Sequence, residues 1–477
     1  MAKIRKKNAL SSEDSIVLLG NLHSDFGKYG LSKTELDYLK TQFKNDKKQV
    51  SINQLHRWVF VQIIEEKKQT YITTEFCRRA GNSLLSQINE NKINKITIVD
   101  LDNRPNEVIA LIEGMALGNY QFLKYKKNIE KETHSLETIN AYSKNISSKD
   151  IDQLEILVDA VNTCRTLVNE PVLFLNAVQL SKEFQKLGKQ AGFKVEVLNK
   201  SKIEALKMGG LLAVNYGSII PPTFSIMEWK PSNAKNNKPF LLVGKGVVYD
   251  TGGLSLKPTL NSMDQMKCDM AGAAAVACTM FAIAKAKLPV HVIALAPATD
   301  NRPGENAYTP GDVITMHNGL TVEVLSTDAE GRVSLGDALS YAQKFKPELV
   351  IDLATLTGAA AAAIGKYGIV SMGTAQAKYT NALKESGNTV YERLAELPFW
   401  DEYGELIKSS IAEIKNVGGP VAGAITAGKF LEHFTNYPWI HLDIAGPAFT
   451  TANDSYKPMG GTGVGVRLLF DFFKNIK

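Results

Sequence analysis

The sequence predicts an α/β protein of two domains: a small amino-terminal α/β domain and a larger carboxyl-terminal α/β/α domain on a central, mostly parallel sheet. Three observations carry this. The chain has 477 residues, more than one ordinary core accommodates. Its 44% hydrophobic and 22% charged residues are the balance of a globular protein. From Pro239 onward, short apolar runs alternate with helical segments over short connections, the pattern of parallel strands joined by crossover helices. The expected division is residues 1–148 for the first domain, a linker helix at 149–172, and the second domain at 173–477.

In the first domain, Ser15 to Leu19 and Lys95 to Leu101 are short β-branched runs bounded by polar residues and read as strands. Leu31 to Phe43, Phe76 to Ile88 and Asn106 to Ala116 carry apolar residues at helical spacing. His23, His56 and His134 are scattered, and no group of candidate catalytic residues gathers here. A helix follows over Ile151 to Val168, stopped by Asn169-Glu170-Pro171. Ala177 to Ala191 then reads as a helix, Lys194 to Leu198 as a strand, and Gly209 to Val214 as a turn into another strand.

Beyond Pro239 the expected order is strand Phe240 to Val243, helix Met270 to Ala286, strand Val290 to Ala296, strand Thr321 to Leu325, helix Ser334 to Phe345 and strand Leu349 to Leu353. In sheets of this kind, ligands bind beyond the carboxyl ends of the strands. Two charged segments fall there. One holds Lys245, Asp250, Lys257 and Asp269; the other is Ser326-Thr327-Asp328-Ala329-Glu330-Gly331-Arg332.

Composition narrows the function classes. A net charge of +6 over this length is only mildly basic, so Lys6-Lys7 and Lys47-Lys48 read as solvated faces and nucleic acid is not an expected partner. Cys77, Cys164, Cys268 and Cys278 form no CxxC pair or regular framework, which fits free, buried thiols in a reducing compartment. The amino terminus lacks an apolar signal core. The longest apolar stretch, Ala271 to Ala284, falls short of the ~18 residues of a membrane span. A cytoplasmic protein with no membrane partner is expected.

Four carboxylates brought together without cations would repel one another and suffer costly desolvation. Divalent ions resolve this, and an oxygen-rich set suits zinc, manganese or magnesium. If the backbone at Asp328 and Glu330 is extended, both side chains point the same way and face one ion. A lysine ligand must give up its proton, which a neighbouring cation favours. Spacing does not say which of Lys245 and Lys257 does so. Taken singly, these residues read equally well as a helix-entry turn, a loop carboxylate and an N-cap. Together on strand ends, they point to a metal hydrolase.

At these positions the chain resembles the leucyl aminopeptidase (cytosol aminopeptidase) family of dinuclear metallopeptidases. Ser326 to Arg332 matches the family's NTDAEGR, with serine in place of its asparagine. Gly244-Lys245-Gly246 through Asp250-Thr251-Gly252-Gly253 to Ser255-Leu256-Lys257 is similar to its first motif, and Met266 to Met270 to its next. Arg165 to Pro171, Asp352 to Gly358, Trp439 to Gly446 and Gly461 to Arg467 also match, so the likeness runs from about 155 to the carboxyl end. In the amino-terminal part only Glu113 to Phe122 is similar.

The resemblance implies an aminopeptidase that releases amino-terminal residues, with a leucine-like preference, by attack of a metal-bridging water or hydroxide. It implies a tight metal on Lys245, Asp250, Asp269 and Glu330, and an exchangeable metal on Asp250, Asp328 with its carbonyl, and Glu330, the ions being zinc and/or manganese, or magnesium. Lys257 would stabilise the oxyanion, and Arg332 would hold a bicarbonate-like anion acting as general base. Met266, Thr355 and Ala445 would line the pocket for the first side chain, the Leu356 backbone would bind substrate, and the protein would form a homo-hexamer acting on peptides. Ser326, being shorter than asparagine, puts metal preference in question.

Two rival functions share these residues: a cysteinyl-glycine dipeptidase on the same site, and a non-catalytic, DNA-binding hexamer. The intact charged set argues against lost activity. A dinucleotide site is excluded because Tyr249 stands where the fingerprint after Gly244-x-Gly246 needs glycine, and GxxxxGK[ST] and HExxH are absent. His433 and His441 read as core or surface histidines. Cys268 has no histidine partner in sequence and reads as a packing residue.

Overall fold

The computed structural model describes residues 2–476. The chain forms two compact units, residues 1–162 with 452–458, and residues 163–451 with 459–477.

The first unit is built on a six-stranded sheet of β1 (Lys3–Lys6), β2 (Ile16–Gly20), β3 (Gln49–Asn53), β4 (Trp58–Ile63), β5 (Lys95–Asp100) and β6 (Thr138–Tyr142), ordered β1-β6-β5-β2-β4-β3. Only the β3–β4 pair is antiparallel. The helices Lys33–Lys44, Thr70–Glu90 and Pro105–Gly118 fall where apolar spacing predicts them. The first starts at a full capping box, Ser32 with Glu35. β1, β3, β4 and β6 are not among the strands that the sequence reading names.

The second unit carries β7 (Lys194–Leu198), β8 (Thr223–Trp229), β9 (Phe240–Gly244), β10 (Gly246–Asp250), β11 (Val292–Asn301), β12 (Val313–Thr315), β13 (Thr321–Glu323), β14 (Leu349–Ala354), β15 (Ile369–Gly373), β16 (Leu394–Glu396), β17 (Ile414–Lys415) and β18 (Trp439–Asp443). The main sheet has the order β16-β15-β18-β14-β9-β11-β8-β7, with β10 pairing β11. Its middle, β18-β14-β9-β11, is parallel. β9, β11, β14 and β18 are buried along their whole length, which is why they read as continuous apolar runs rather than alternations.

The helix Ala271–Lys285 packs on β9, β11 and β14. The stretch Met263–Lys285 is long and apolar enough to cross a membrane, but 89% of its most apolar 18-residue window is buried inside the protein. Its alanines and its one glycine let it approach closely: a Cβ on Gly272 would lie 2.0 Å from the Leu353 carbonyl oxygen.

Three expectations are corrected. Gly209–Asn215 is a helix, not a turn into a strand; it packs against the helix Glu330–Ala342, and tertiary contact overrides the weak local signal. The strand at Thr321 does not join the main sheet but forms a three-stranded sheet, β12-β13-β17. The helix expected from Ser334 begins at Glu330, because Glu330, Gly331 and Arg332 form its first turn.

Candidate metal centre

Lys245 sits directly after β9, at the carboxyl end of the parallel core. Its backbone N–H donates to the Leu353 carbonyl (3.0 Å), and its carbonyl accepts from Ala273 (2.9 Å). This clamps the residue between β14 and the start of the following helix. Asp250 ends β10. Asp269 closes a 3₁₀ turn, Met263–Cys268, just before the helix Ala271–Lys285. Asp328 lies in a second 3₁₀ turn, Thr327–Ala329, and Glu330 opens the next helix. The extended backbone expected at Asp328 and Glu330 is therefore absent. A turn into a helix brings both carboxylates to one place instead, because a side chain in the first turn of a helix faces the entering chain.

The charged groups do converge. Lys245 Nζ donates to Asp269 Oδ1 (2.7 Å) and to the Thr355 carbonyl (2.8 Å), and lies 2.9 Å from Glu330 Oε1. Lys257 Nζ lies 2.9 Å from Asp250 Oδ2 and also pairs with Asp328. Asp250 Oδ1 accepts from the Gly252 N–H and from Asn301 Nδ2, both at 2.8 Å. Thr355 Oγ1 donates to Asp269 Oδ1 (2.7 Å). Two glycines are required here by close approach. A Cβ on Gly331 would lie 2.5 Å from Lys245 Cε; one on Gly252, at φ +85°, would lie 2.4 Å from the Ser255 carbonyl oxygen.

The electrostatics are those of a crowded anionic cluster. Burial, reinforced by Glu330, pushes the Asp250 carboxyl up to about 6. Burial also raises Asp269 well above the usual carboxylate range. Glu330 goes the other way: burial works against its charge, but Lys245 and Lys257 prevail and hold it below its ordinary value. Both lysines are raised, since the carboxylates overcome the desolvation that opposes their charge. Burial pushes the Arg332 guanidinium down to about 10, against the pull of Glu330, Asp443 and Asp328.

The donor set fits divalent cations. Asp269 Oδ2 and Glu330 Oε2 are buried and have no hydrogen-bond partner, an arrangement that costs free energy unless something positive meets them. One oxygen from each of Asp250, Asp328 and Glu330 lies within 4.8 Å of the others. Oxygen ligands of this number suit hard or borderline cations.

The other sequence candidates lie around this cluster. Thr355 touches Asp269 and Lys245 directly. The Leu356 and Ala445 N–H groups both donate to Asp443 Oδ1 (3.2 and 3.1 Å). Met266 is half-buried on the 3₁₀ turn that leads to Asp269. Arg332 is buried, with Nη1 donating to the Asn416 carbonyl (2.8 Å) and Nε without a partner. His441 is fully buried and bonds Asp352 at 2.7 Å, a core position. All four cysteines are free and buried.

Sequence reading missed the residues that join the two charged segments. Asn301 Nδ2 reaches both Asp250 Oδ1 and the Thr327 carbonyl (2.9 Å). Thr327 Oγ1 donates to the Gly252 carbonyl (2.6 Å) and accepts from the Ser255 N–H (2.8 Å). Asn301 ends β11, so its place at a carboxyl strand end was an available signal. Asp443, which organises Leu356, Thr357 and Ala445, stood inside a matching motif without being singled out.

Comparison with known proteins agrees with this chemistry. Residues 162–470 match the catalytic domain of the cytosol aminopeptidase family. A probable cytosol aminopeptidase of Chloroherpeton thalassium is 43% identical over 430 residues, 84% of each chain. One of Geobacter sulfurreducens is 43% identical over 375 residues, 78% of this chain and 75% of its own. Among solved structures, the bottromycin maturation enzyme BotP in complex with Mn has a TM-score of 0.85 at 26% identity, covering 96% of this chain and 99% of that one. The chain thus belongs to the cytosol aminopeptidase family and is a metallo-aminopeptidase, a hydrolase of peptide bonds.

Proposed function

We propose that this enzyme is a dinuclear aminopeptidase that releases leucine-like residues from the amino ends of peptides. The observation that carries the reading is the pair of buried, unpartnered oxygens on Asp269 and Glu330 within a cluster of four carboxylates. Lys245, Asp250, Asp269 and Glu330 are assigned to an inner ion; Asp250, Asp328 with its carbonyl, and Glu330 to an outer one. Zinc or manganese is favoured by the mixed nitrogen and oxygen donors, with magnesium the harder alternative; the manganese complex of BotP supports the same choice. Two such ions, when bound, supply Lewis acidity at the scissile carbonyl and lower the pKa of the attacking water.

The side chains do the rest. Lys257, on an irregular loop and less buried than Lys245, is placed to neutralise charge developing on the carbonyl oxygen. Arg332, with Nε unpartnered, holds a bicarbonate-like anion that accepts the water's proton. Met266, Thr355 and Ala445 line the pocket for the first side chain, and the Leu356 backbone holds the peptide. The family's name and the free, buried cysteines support action in the cytoplasm, and the resemblance supports a homo-hexamer.

The test is a metal analysis of freshly purified protein, with Leu-, Met- and Cys-Gly substrates assayed after addition of Mn²⁺ or Zn²⁺. Two ions per chain and release of leucine are expected, and Glu330→Gln should lose turnover and metal while staying folded. Near-normal turnover in that variant would sink the two-metal assignment; selective cleavage of Cys-Gly would move the enzyme to the dipeptidases.

A further inference from the structure

Asn416 belongs to neither charged segment, yet it holds both ends of one. It follows β17, whose parallel pairing with β13 sets Glu323 opposite Lys415, and its backbone N–H donates to the Glu323 carbonyl (3.0 Å). The residue is fully buried. Its side-chain Oδ1 accepts from the backbone N–H groups of Leu325 (2.9 Å) and Ser326 (3.3 Å), and its Nδ2 donates to the Ser326 carbonyl (2.7 Å). Its own backbone carbonyl accepts from Arg332 Nη1 (2.8 Å). The entry to the turn and the guanidinium at its exit are thus tied to a single amide residue.

Between them, Thr327 is held from the other side: its carbonyl accepts from Asn301 Nδ2 (2.9 Å) and Tyr308 Oη (3.0 Å), and its hydroxyl bonds Gly252 and Ser255. Asp328 itself has less support. Ser326 Oγ accepts from the Asp328 N–H at 3.2 Å, and a hydroxyl makes this kind of turn more weakly than an asparagine amide does. The Asp328 side chain is 36% exposed, against 2–5% for Asp250, Asp269 and Glu330. Its placement therefore rests on the backbone, which Thr327 ties on one side of the turn and Asn416 at its entry.

We propose that Asn416 is a positioning residue of the centre, one that fixes Asp328 and Arg332 together and offsets the serine at position 326. This rests on the roles proposed above for Asp328 and Arg332. Asn416 links both groups to the small sheet β12-β13-β17, so a shift of Asn416 disturbs the entry to the outer ligand's turn and the support of the anion-holding arginine together. The inner donors Lys245 and Asp269 are anchored on the main sheet and its helix, and such a shift leaves them in place.

The test is Asn416→Ala in the full chain, with Mn²⁺ affinities of both ions read by calorimetric titration alongside melting temperature, kcat and KM. Outer-ion affinity should fall about 10–100-fold, the usual effect of removing a partner that orients a ligand, with inner-ion affinity near native and the loss of rate in kcat more than in KM. Ser326→Asn added to Asn416→Ala should recover part of the outer-ion affinity. Asn416→Asp keeps the two acceptor bonds and loses the donor bond to the Ser326 carbonyl; its intermediate loss serves as the readout if the alanine variant does not fold. Native affinity for both ions in these variants, or equal loss of both ions with a collapse of the melting temperature, would overturn the proposal. Glu330→Gln run in parallel separates the two levels: if it keeps both ions, the two-metal reading fails, whereas if it alone loses metal, only the role of Asn416 fails.

Discussion

The inner and outer halves of the centre are built from the same residue types on different supports. The inner half, Lys245 with Asp269 and Glu330, stands at the end of the parallel core and under the helix Ala271–Lys285, with side chains 2–5% exposed. The outer half pairs Lys257 with Asp250 and Asp328 on a glycine-rich loop and a 3₁₀ turn. There Lys257 is 15% and Asp328 36% exposed. A buried cluster with unpartnered oxygens is strongly destabilised until a cation meets it, whereas a partly solvated one relaxes against water. On the proposed two-ion assignment, we expect an inner ion that stays and an outer one that exchanges. On the same proposal the lysines do different work: Lys245 is walled in beside the carboxylates, whereas Lys257 is the more exposed of the two.

The sharpest way to break this comparison is to remove each lysine in turn. Lys257→Ala should keep both ions and lose about 10²–10³ in rate, the range for deleting one oxyanion donor. Lys245→Ala should lose the inner ion. Metal analysis and turnover together decide it: loss of metal from the Lys257 variant, with metal retained in the Lys245 variant, would mean that the roles are exchanged.

A smaller perturbation tests the packing of the inner half alone. Gly331→Ala places a methyl against Lys245 Cε, where the buried lysine has little freedom to retreat. Overpacking of this kind costs about 1–3 kcal/mol, and inner-ion affinity should weaken while Lys257 keeps its contacts. An unchanged melting curve and metal affinity would show that the inner half is more yielding than its burial implies.

The smallest effect concerns a buried carboxylate that has no lysine partner. Asp337, seven residues beyond Glu330 on the same helix, accepts from the Leu211 and His317 N–H groups, both at 2.8 Å. Burial raises it to about 7, against about 3.9 for an unfolded aspartate. Because the folded pKa is the higher, the folded state binds the extra proton between these values, and stability falls as pH rises from about 4 to about 7. Asp337→Asn should flatten that part of the profile, measured by denaturant unfolding across the range. A slope identical to wild type would show that Asp337 is ionised throughout, its backbone donors doing what Lys245 does for Glu330.

Much of the fold was legible because its signals are local. The helix Ala177–Ala191 and strand Lys194–Leu198 fall where their apolar spacing places them, and the buried strands β9 and β14 announce themselves as apolar runs. The helix at Gly209–Asn215 was not legible: glycine-rich and short, it owes its form to a neighbour distant in sequence. The turn at Asp328 misled for the opposite reason. Residues two apart fit an extended chain on paper, but Ser326 caps a 3₁₀ turn instead.

For the site, the residue types alone carry the chemistry. Four carboxylates, two lysines and an arginine in two glycine-containing segments carry their charges and donor atoms wherever they fold, and the matching motifs tie them to a family. Tertiary structure alone decided which charges meet. Lys245 and Asp269 are 24 residues apart, and Lys245 and Glu330 lie on different elements; only the stacking of β9 beside β14 beneath a close-packed helix puts their polar atoms within 3 Å. Asn416 became visible only there, because a neutral amide has no signature until the backbone groups it satisfies are brought to it.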